Sequence, residues 1–250
     1  MKSTIKIRRK KYKIDFSKPI DISIPIHNGE NQLKCFYAND VSFEPVKAGD
    51  FIGSLKEGGP VNFYTIQINP HGNGTHTECC GHILDNDLSI NQCLKSFHFL
   101  AQLITLEPKL LPNGDRVFQL DSSDTINLLP DVEALVIRTL PNGDFKKRTN
   151  YSGQNAPYFH PELMQVFVDA GIRHLLIDLP SVDKEQDGGA LSAHHTFWQT
   201  ETEPRLDATI TEMVYIDDSI SDGIYVLNLQ IISLELDASP SKPVLYGVKS

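Results

Sequence analysis

Side chains that could carry chemistry are concentrated in residues 69–83, which read NPHGNGTHTECCGHI. Three of the nine histidines, His71, His76 and His82, lie here, and Glu78 stands between the last two. Imidazole and carboxylate groups together suit a divalent transition metal such as Zn, Mn or Fe. The segment therefore predicts a metal or catalytic site, and the plain alternative is that these histidines only pack and form hydrogen bonds.

The spacing also predicts how the backbone presents these groups. Alternate side chains of a strand share a face, so the even-numbered residues of 76–82, Cys80 included, would line one wall. His71 has the opposite parity. Residues 72–74, Gly-Asn-Gly, tolerate positive φ and could form a bulge that resets the parity, with an ordinary turn as the alternative.

A second cluster lies downstream. Asp178 lies near the C-terminal end of a predicted strand, Asp183 follows it, and His194, His195 and Glu212 come later in the chain. Functional groups of α/β enzymes gather at strand ends, so this cluster could complete the site. The alternative is that Asp178 caps a turn and the two histidines lie in a solvated loop.

Composition excludes several classes of protein. The 250 residues are 40% apolar and 22% charged, with a net charge of −9, which is typical of a globular protein with a full core rather than of a disordered chain. The acidic balance argues against a nucleic acid partner. No run approaches the ~18 apolar residues of a membrane helix. The four cysteines are predicted to be reduced thiols in a cytoplasmic protein.

Periodic patterns predict a mixed α/β domain with a large β component. The basic residues 2–13 lack the apolar segment of a secretion signal and are expected to form half-buried strands. A helix is predicted at 161–170. Neither a repeat nor a long linker interrupts the chain, which predicts one domain over residues 1–250. The predicted strands are 61–69, 100–106, 117–120, 134–140, 175–179 and 224–236.

Together the two clusters resemble the metal-dependent cyclase family, to which bacterial kynurenine formamidases and isatin hydrolases belong. The family pattern is H-x-G-T-H-x-D-x-P-x-H, and residues 72–82 read GNGTHTECCGH. The G-T-H core and the last histidine match. Glu78 replaces the aspartate, Cys80 replaces the proline, and Gly72 takes the place of the first histidine, with His71 one residue earlier.

The resemblance extends over most of the chain, from about residue 21 to residue 212. Residues 21–23 look like the early D-x-S strand of the family, and residues 136–139 look like its I-R-T strand end. Residues 171–183 look like its G-(V/I)…I-D-x-P-S-(V/I)-D stretch. His194-His195 and Glu212 look like the later histidine pair and the glutamate ligand.

What the resemblance implies is specific. It implies a β-rich α/β fold of the swivelling β/β/α type, in a homodimer or homotetramer. It implies arylformamidase-like hydrolysis of an amide or lactam bond of a small molecule, with one or two divalent metals, Zn or Mn. His82 would be the general acid/base. The implied metal ligands are His71, His76, Glu78, His194 and Glu212.

Two other functions stay open at this point. A relative that has lost its metals would only bind small molecules, because the first histidine and the aspartate of the pattern are altered. A thiol enzyme would use Cys79 or Cys80 with a neighbouring histidine. Four aromatic residues are expected either to line an aromatic-binding pocket or to lie in the core: Phe36, Tyr37, Phe43 and Trp198.

Overall fold

The computed structural model describes residues 1–7, 10–85, 87–121 and 125–249. Its α-helices are α1 (Ile90–Cys93), α2 (Pro161–Asp169) and α3 (Ser192–Trp198), and 3-10 helices cover Leu55–Glu57, Cys80–His82 and Asp144–Lys147. Strands dominate, as predicted. The strands are β1 (Lys2–Ile7), β2 (Lys10–Asp15), β3 (Ile20–Asp21), β4 (Ser42–Pro45), β5 (Lys47–Ala48), β6 (Phe51–Ile52), β7 (Tyr64–Gln67), β8 (His76–Cys79), β9 (His98–Leu106), β10 (Lys109–Leu110), β11 (Arg116–Phe118), β12 (Ala134–Thr139), β13 (Tyr158–Phe159), β14 (His174–Ile177), β15 (Thr209–Glu212), β16 (Gly223–Ile231) and β17 (Ala238–Lys249).

Seven strands form a closed ring. Their order is β17-β16-β9-β12-β14-β15-β8, and β8 pairs back with β17. The consecutive pairs among β9, β12, β14 and β15 are parallel, whereas β8, β16 and β17 join the ring by antiparallel pairing. Because the ring closes, β8 has a hydrogen-bonded neighbour on each of its edges.

The two faces of the ring bury different sets of apolar side chains. Leu103 of β9 and Val136 of β12 belong to a cluster of side chains that come from strands around the ring and fill its interior. Leu135, next to Val136, belongs to a second cluster with Phe167 of α2 and Phe197 of α3. The two helices therefore cover the outer face. Each large side chain buried in this way contributes about 1.5–3 kcal/mol.

Helix α2 confirms the helix predicted from the sequence. Pro161 occupies its first turn, and Gly171, with φ of +81°, follows its end, which is where a helix accepts each of these residues. Leu163, Met164 and Phe167 form its buried face. The helix thereby packs against the ring beside α3.

The strand predictions are confirmed with two qualifications. The run predicted to end at residue 236 ends at Ile231, and β7 is exposed along its length and pairs only with β4 among the described strands. The basic N-terminal segment forms the hairpin β1–β2, which buries Tyr12 and Ile14 and extends the sheet from β17. The described helices are all too short to cross a membrane, since the longest, α2, has nine residues.

Candidate metal centre

The helix-covered face of the ring carries three buried ionisable side chains on two neighbouring strands. His76 and Glu78 alternate along β8 with Thr77, which faces the opposite way. Strand β15 runs antiparallel beside β8 and places Glu212 opposite His76. These three groups, each at most 3% exposed, lie next to α3, which contributes His194.

His71 precedes β8 on a turn formed by residues 69–75. The Asn69 side chain accepts hydrogen bonds from the backbone N–H groups of His71 and Gly72, at 3.0 and 2.9 Å. The predicted strand bulge is therefore wrong, because the Gly-Asn-Gly segment is a turn before the strand and not an extra residue within it. The turn nevertheless brings His71 Nδ1 to 3.1 Å from Glu78 Oε2.

Gly72 has no room for the histidine that the family pattern has at this position. A Cβ atom there would lie 2.3 Å from the Cβ of Ala38 and 3.3 Å from the carbonyl oxygen of Cys35. Heavy atoms do not approach that closely without displacement of the backbone. In this chain the imidazole of the turn therefore comes from His71.

His76 presents a lone pair to the carboxylates of the centre. Its Nδ1 lies 3.0 Å from the carbonyl oxygen of Gly74, which only accepts, so Nδ1 carries the hydrogen. The other nitrogen, Nε2, lies 3.5 Å from Glu212 Oε2. Within the described residues, His76 Nε2 has no hydrogen-bond partner. Buried acceptors that face one another are costly unless a cation lies between them.

On the buried side of Glu78, His194 is held by two carboxylates. Its Nε2 donates to Glu78 Oε1 at 3.0 Å, and its Nδ1 donates to Asp183 Oδ2 at 2.7 Å. Asp183 also accepts hydrogen bonds from the backbone N–H groups of Ala193 and His194 at the start of α3. The neighbouring His195 turns away from the centre, so the first histidine of the pair faces it.

On the open side of Glu78, His82 approaches from a 3-10 helix. Strand β8 ends at Cys79, because the backbone turns at Gly81, where a Cβ would lie 2.1 Å from the carbonyl oxygen of Leu88. The predicted extended wall through residue 82 is therefore wrong. His82 Nε2 still lies 3.9 Å from Glu78 Oε2, whereas Cys80 is buried in the apolar cluster under α2 and α3.

Asp237 joins the two histidines of the open side. Its Oδ2 accepts hydrogen bonds from His71 Nε2 at 2.7 Å and from His82 Nδ1 at 3.1 Å. The two imidazole rings are stacked with centroids 4.2 Å apart. All six site residues expected from the resemblance are therefore brought together around Glu78.

The two buried carboxylates differ in their electrostatics. Burial opposes ionisation of Glu78, but hydrogen bonds from His194 and His71 outweigh it and lower the pKa of Glu78 well below its usual range. Burial raises the pKa of Glu212, and the negative charge of Glu78 raises it further. A pair of carboxylates in this arrangement favours a divalent cation, whose charge would allow both to ionise.

The carboxylates raise the pKa of the histidines that they hold. Burial alone would lower the pKa of His71, but hydrogen bonds to Asp237 and Glu78 raise it to about 10. Burial would likewise lower the pKa of His194, and Asp183 and Glu78 raise it to about 10. A cation would take the place of the proton on the nitrogen that faces Glu78 in each case.

The set of donor atoms fits a divalent metal. Donor atoms of His71, His76 and Glu78 lie within 4.8 Å of one another, and so do those of Glu78, His82 and His194. Imidazole nitrogens and carboxylate oxygens are ligands that Zn and Mn accept. The role of each residue as a ligand, and of His82 as the acid/base, stays a prediction.

A cleft of about 420 Å³ opens beside the centre. His71, Glu78 and His194 line it, and so does Phe36, which has a φ of +53°. Backbone strain of this kind clusters at functional sites. Trp198, by contrast, is completely buried with its indole N–H donating to Ala208, so it belongs to the core.

Sequence reasoning missed two carboxylates of the centre and overrated one. Asp183 belongs to the second cluster of the sequence but received no role there, because its spacing of eleven residues from His194 gave no signal. Asp237 stands alone before β17, outside every motif. Asp178 lies outside the cleft, where it is buried and bonds Thr139 and Lys146, as expected of a structural role.

Comparison with known proteins identifies the family of this chain. Residues 14–184, more than half of the chain, match the sequence model of the family described as "Cyclase: Putative cyclase". The kynurenine formamidase of Bacillus anthracis is 25% identical over 240 residues, which cover 93% of this chain and 99% of that protein. The kynurenine formamidase of Bacillus cytotoxicus is 26% identical over 198 residues, or 76% of this chain and 82% of that protein.

Solved structures confirm the β-rich fold of the cyclase type. "The Structure Of Potential Metal-Dependent Hydrolase With Cyclase Activity" has a TM-score of 0.66 and 16% identity, and covers 93% of this chain and 99% of its own. Isatin hydrolase A from Labrenzia aggregata, bound to benzyl benzoate, has a TM-score of 0.62 and 14% identity, and covers 93% and 94%. By its sequence match and its fold, this chain belongs to the cyclase family.

Proposed function

We propose that this chain is a metal-dependent amidohydrolase that cleaves an amide or lactam C–N bond of a small N-acyl or cyclic substrate. The observation that carries the proposal is the buried lone pair of His76 Nε2, which faces Glu212 and has no hydrogen-bond partner among the described residues. This arrangement lies next to a cleft of a size that suits a small molecule. Amide hydrolysis is supported by the kynurenine formamidases that match over most of the chain.

His71, His76, Glu78, His194 and Glu212 would hold one or two cations, with Zn and Mn as the metals proposed. A divalent cation supplies Lewis-acid activation of the amide carbonyl and of water. Glu78 reaches both halves of the centre, with one oxygen toward His194 and the other toward His71. Asp183 keeps the His194 ring in place through Nδ1.

His82 is proposed as the general acid/base. It lies at the open side of the centre, with 30% of its side chain exposed, and its Nε2 faces Glu78. An imidazole nitrogen with a free lone pair takes a proton from water as the water oxygen bonds to the amide carbon, and delivers that proton to the leaving nitrogen. Delivery of that proton lets the nitrogen leave with the electron pair of the C–N bond.

The cleft and the cysteines bear on the substrate and on the cellular setting. Phe36 lines the cleft and could pack against an aromatic ring, which supports an aromatic substrate like that of an arylformamidase. The four cysteines are free thiols, which supports a cytoplasmic location. We propose a homodimer or homotetramer from the family resemblance alone, and light scattering would test it. The acidic composition supports the absence of a nucleic acid partner, and the lack of a long apolar run supports the absence of a membrane partner.

The decisive experiment compares metal content and hydrolysis in one series. Protein purified without chelator is analysed for bound metal and assayed on N-formyl arylamines and on isatin, with added Zn or Mn. We expect bound metal at one or two equivalents and hydrolysis in the wild type. In Glu78→Gln we expect hydrolysis to fall by at least about a thousand-fold, or ~4 kcal/mol in activation free energy, because both halves of the centre lose a ligand.

The control is Glu235→Gln. Glu235 is an exposed carboxylate that bonds Ser89 and Asn91 away from the centre, and its removal should leave hydrolysis within twofold. Substoichiometric metal that does not respond to added Zn or Mn would contradict the proposal and favour a relative that only binds. Thiol catalysis predicts loss of activity in Cys79→Ala or Cys80→Ala; burial raises the pKa of the Cys80 thiol to about 11, so we expect no such loss.

A further inference from the structure

Asp237 is placed by the sheet, not by a flexible loop. Its carbonyl oxygen accepts a hydrogen bond from the backbone N–H of Cys79 at 3.0 Å. The next residue, Ala238, opens β17 directly opposite Glu78 of β8. The carboxylate is therefore fixed relative to the strand that carries the centre.

Both hydrogen bonds of Asp237 go to the far nitrogens of site histidines. His71 donates through Nε2 and turns Nδ1 toward Glu78. His82 donates through Nδ1 and turns Nε2 toward Glu78. Because a carboxylate only accepts, each hydrogen bond requires the hydrogen to sit on the nitrogen that faces Asp237.

We propose that Asp237 is a positioning residue that holds His71 and His82 in the tautomer and orientation in which each presents its other ring nitrogen to the centre. A carboxylate behind a metal-binding histidine fixes ring orientation and raises the basicity of the ligating nitrogen. A carboxylate behind a general base keeps the lone pair of that base directed at the reacting atoms. A single oxygen of Asp237 does both.

For His82 the consequence concerns one proton. With Nδ1–H bound to Asp237, the lone pair of Nε2 accepts a proton from water as the water oxygen bonds to the amide carbon. Nε2 then returns that proton to the amide nitrogen as the C–N bond breaks and its electron pair moves to nitrogen. This half of the inference rests on the proposed function, whereas the tautomer of His82 does not.

The test reads the tautomer directly. Metal-free protein labelled with ¹⁵N-histidine is examined by long-range ¹H–¹⁵N NMR over a pH series, the tautomer is read where the spectrum no longer changes with pH, and the His82 signals are assigned with His82→Gln. We expect the Nδ1–H form in the wild type and in the control Glu235→Gln. In Asp237→Ala we expect a shift toward the Nε2–H form, and in Asp237→Asn a smaller one, because the amide oxygen still accepts.

Kinetics and metal affinity extend the same variants. We expect Asp237→Asn to lower kcat by about 10–100-fold with KM within about threefold, and to weaken metal binding about tenfold in competition with a chelator. Asp237→Asn keeps the shape of the side chain, so it serves if Asp237→Ala does not fold.

The two proposals fail in different ways. An unchanged His82 tautomer in Asp237→Ala, or an Nε2–H form in the wild type, overturns the positioning role whether or not the protein hydrolyses amides. A wild type that shows the Nδ1–H form but hydrolyses none of the amides overturns the proposed function and leaves the positioning role supported.

Discussion

The two sides of Glu78 repeat one arrangement in different surroundings. On one side Asp183 holds His194, and the two side chains are only 8% and 3% exposed. On the other side Asp237 holds His71 and His82, with 24–32% of each side chain exposed. Asp183 is itself held by two backbone N–H groups of α3, whereas Asp237 makes its side-chain hydrogen bonds to the two imidazoles.

This difference indicates that the buried side of Glu78 would retain the metal, whereas the open side would exchange substrate and water. A buried imidazole between two carboxylates is well suited to bind a cation permanently, since moving either group would strand a charge away from water. The half-exposed pair lies where substrate and water can reach it. We therefore expect the buried side to govern metal retention and stability, and the open side to govern turnover.

The largest expected effect comes from the buried side. Asp183→Asn removes the charge that balances His194 and weakens the start of α3, so we expect the free energy of unfolding to fall by about 3–5 kcal/mol and metal binding to weaken by about 100-fold. Urea denaturation and competition with a chelator measure the two effects. Asp169→Asn, an exposed change on α2, is the control. A loss no greater than that of Asp237→Asn would remove the distinction between the two sides.

A smaller effect tests the turn on the open side. In Gly72→Ala the new methyl group would meet Ala38, so we expect a loss of about 1–3 kcal/mol in stability and a severalfold loss of activity through displacement of His71. Adding Ala38→Gly should restore at least half of the stability, as measured by a double-mutant cycle in urea. Simple additivity of the two changes would show that the clash is not what constrains the turn.

The smallest effect concerns a buried histidine without a carboxylate. His174 packs against Phe99 with the two rings tilted, and it forms a hydrogen bond with the Thr209 hydroxyl. Burial, with the nearby charge of Arg173, lowers the pKa of His174 to about 3. The unfolded chain binds a proton near pH 6.5 and the native chain does not until about pH 3, so stability is lost as pH falls through this window. At pH 5 this loss is about 2 kcal/mol.

His174→Gln should remove that part of the pH dependence. The measurement is the difference in unfolding free energy between pH 7.5 and pH 5 in wild type and variant, with the exposed His27→Gln as the control. We expect the difference to shrink only in His174→Gln. An unchanged difference would mean that burial without a carboxylate does not set the protonation of this imidazole.

Local patterns predicted the strands, helix α2 and the residue types of the centre. Periodicity reports which face of an element is buried, and a metal needs particular ligands, so both leave a trace in the sequence. The sequence offered the turn at residues 69–75 only as the alternative to a bulge, because the hydrogen bonds that the Asn69 side chain accepts from the backbone of His71 and Gly72, together with the close approach of Ala38, decide between them. No pattern in the sequence indicated Asp237, because the pairing of β17 with β8, and not spacing along the chain, brings Asp237 close to Glu78.

Strand β8 lies between β15 and β17, with a register fixed on each edge. Its backbone cannot slide or tilt without breaking two ladders at once. Related sequences can therefore differ in the lengths of the side chains on this strand and in the segments at either end of it. Glu78, which is longer than the aspartate of the family pattern, illustrates the first kind of change, and His71, displaced by one residue, illustrates the second. Redesign of this enzyme class for new substrates should likewise keep the sequence of the strand and vary the segments on either side of it.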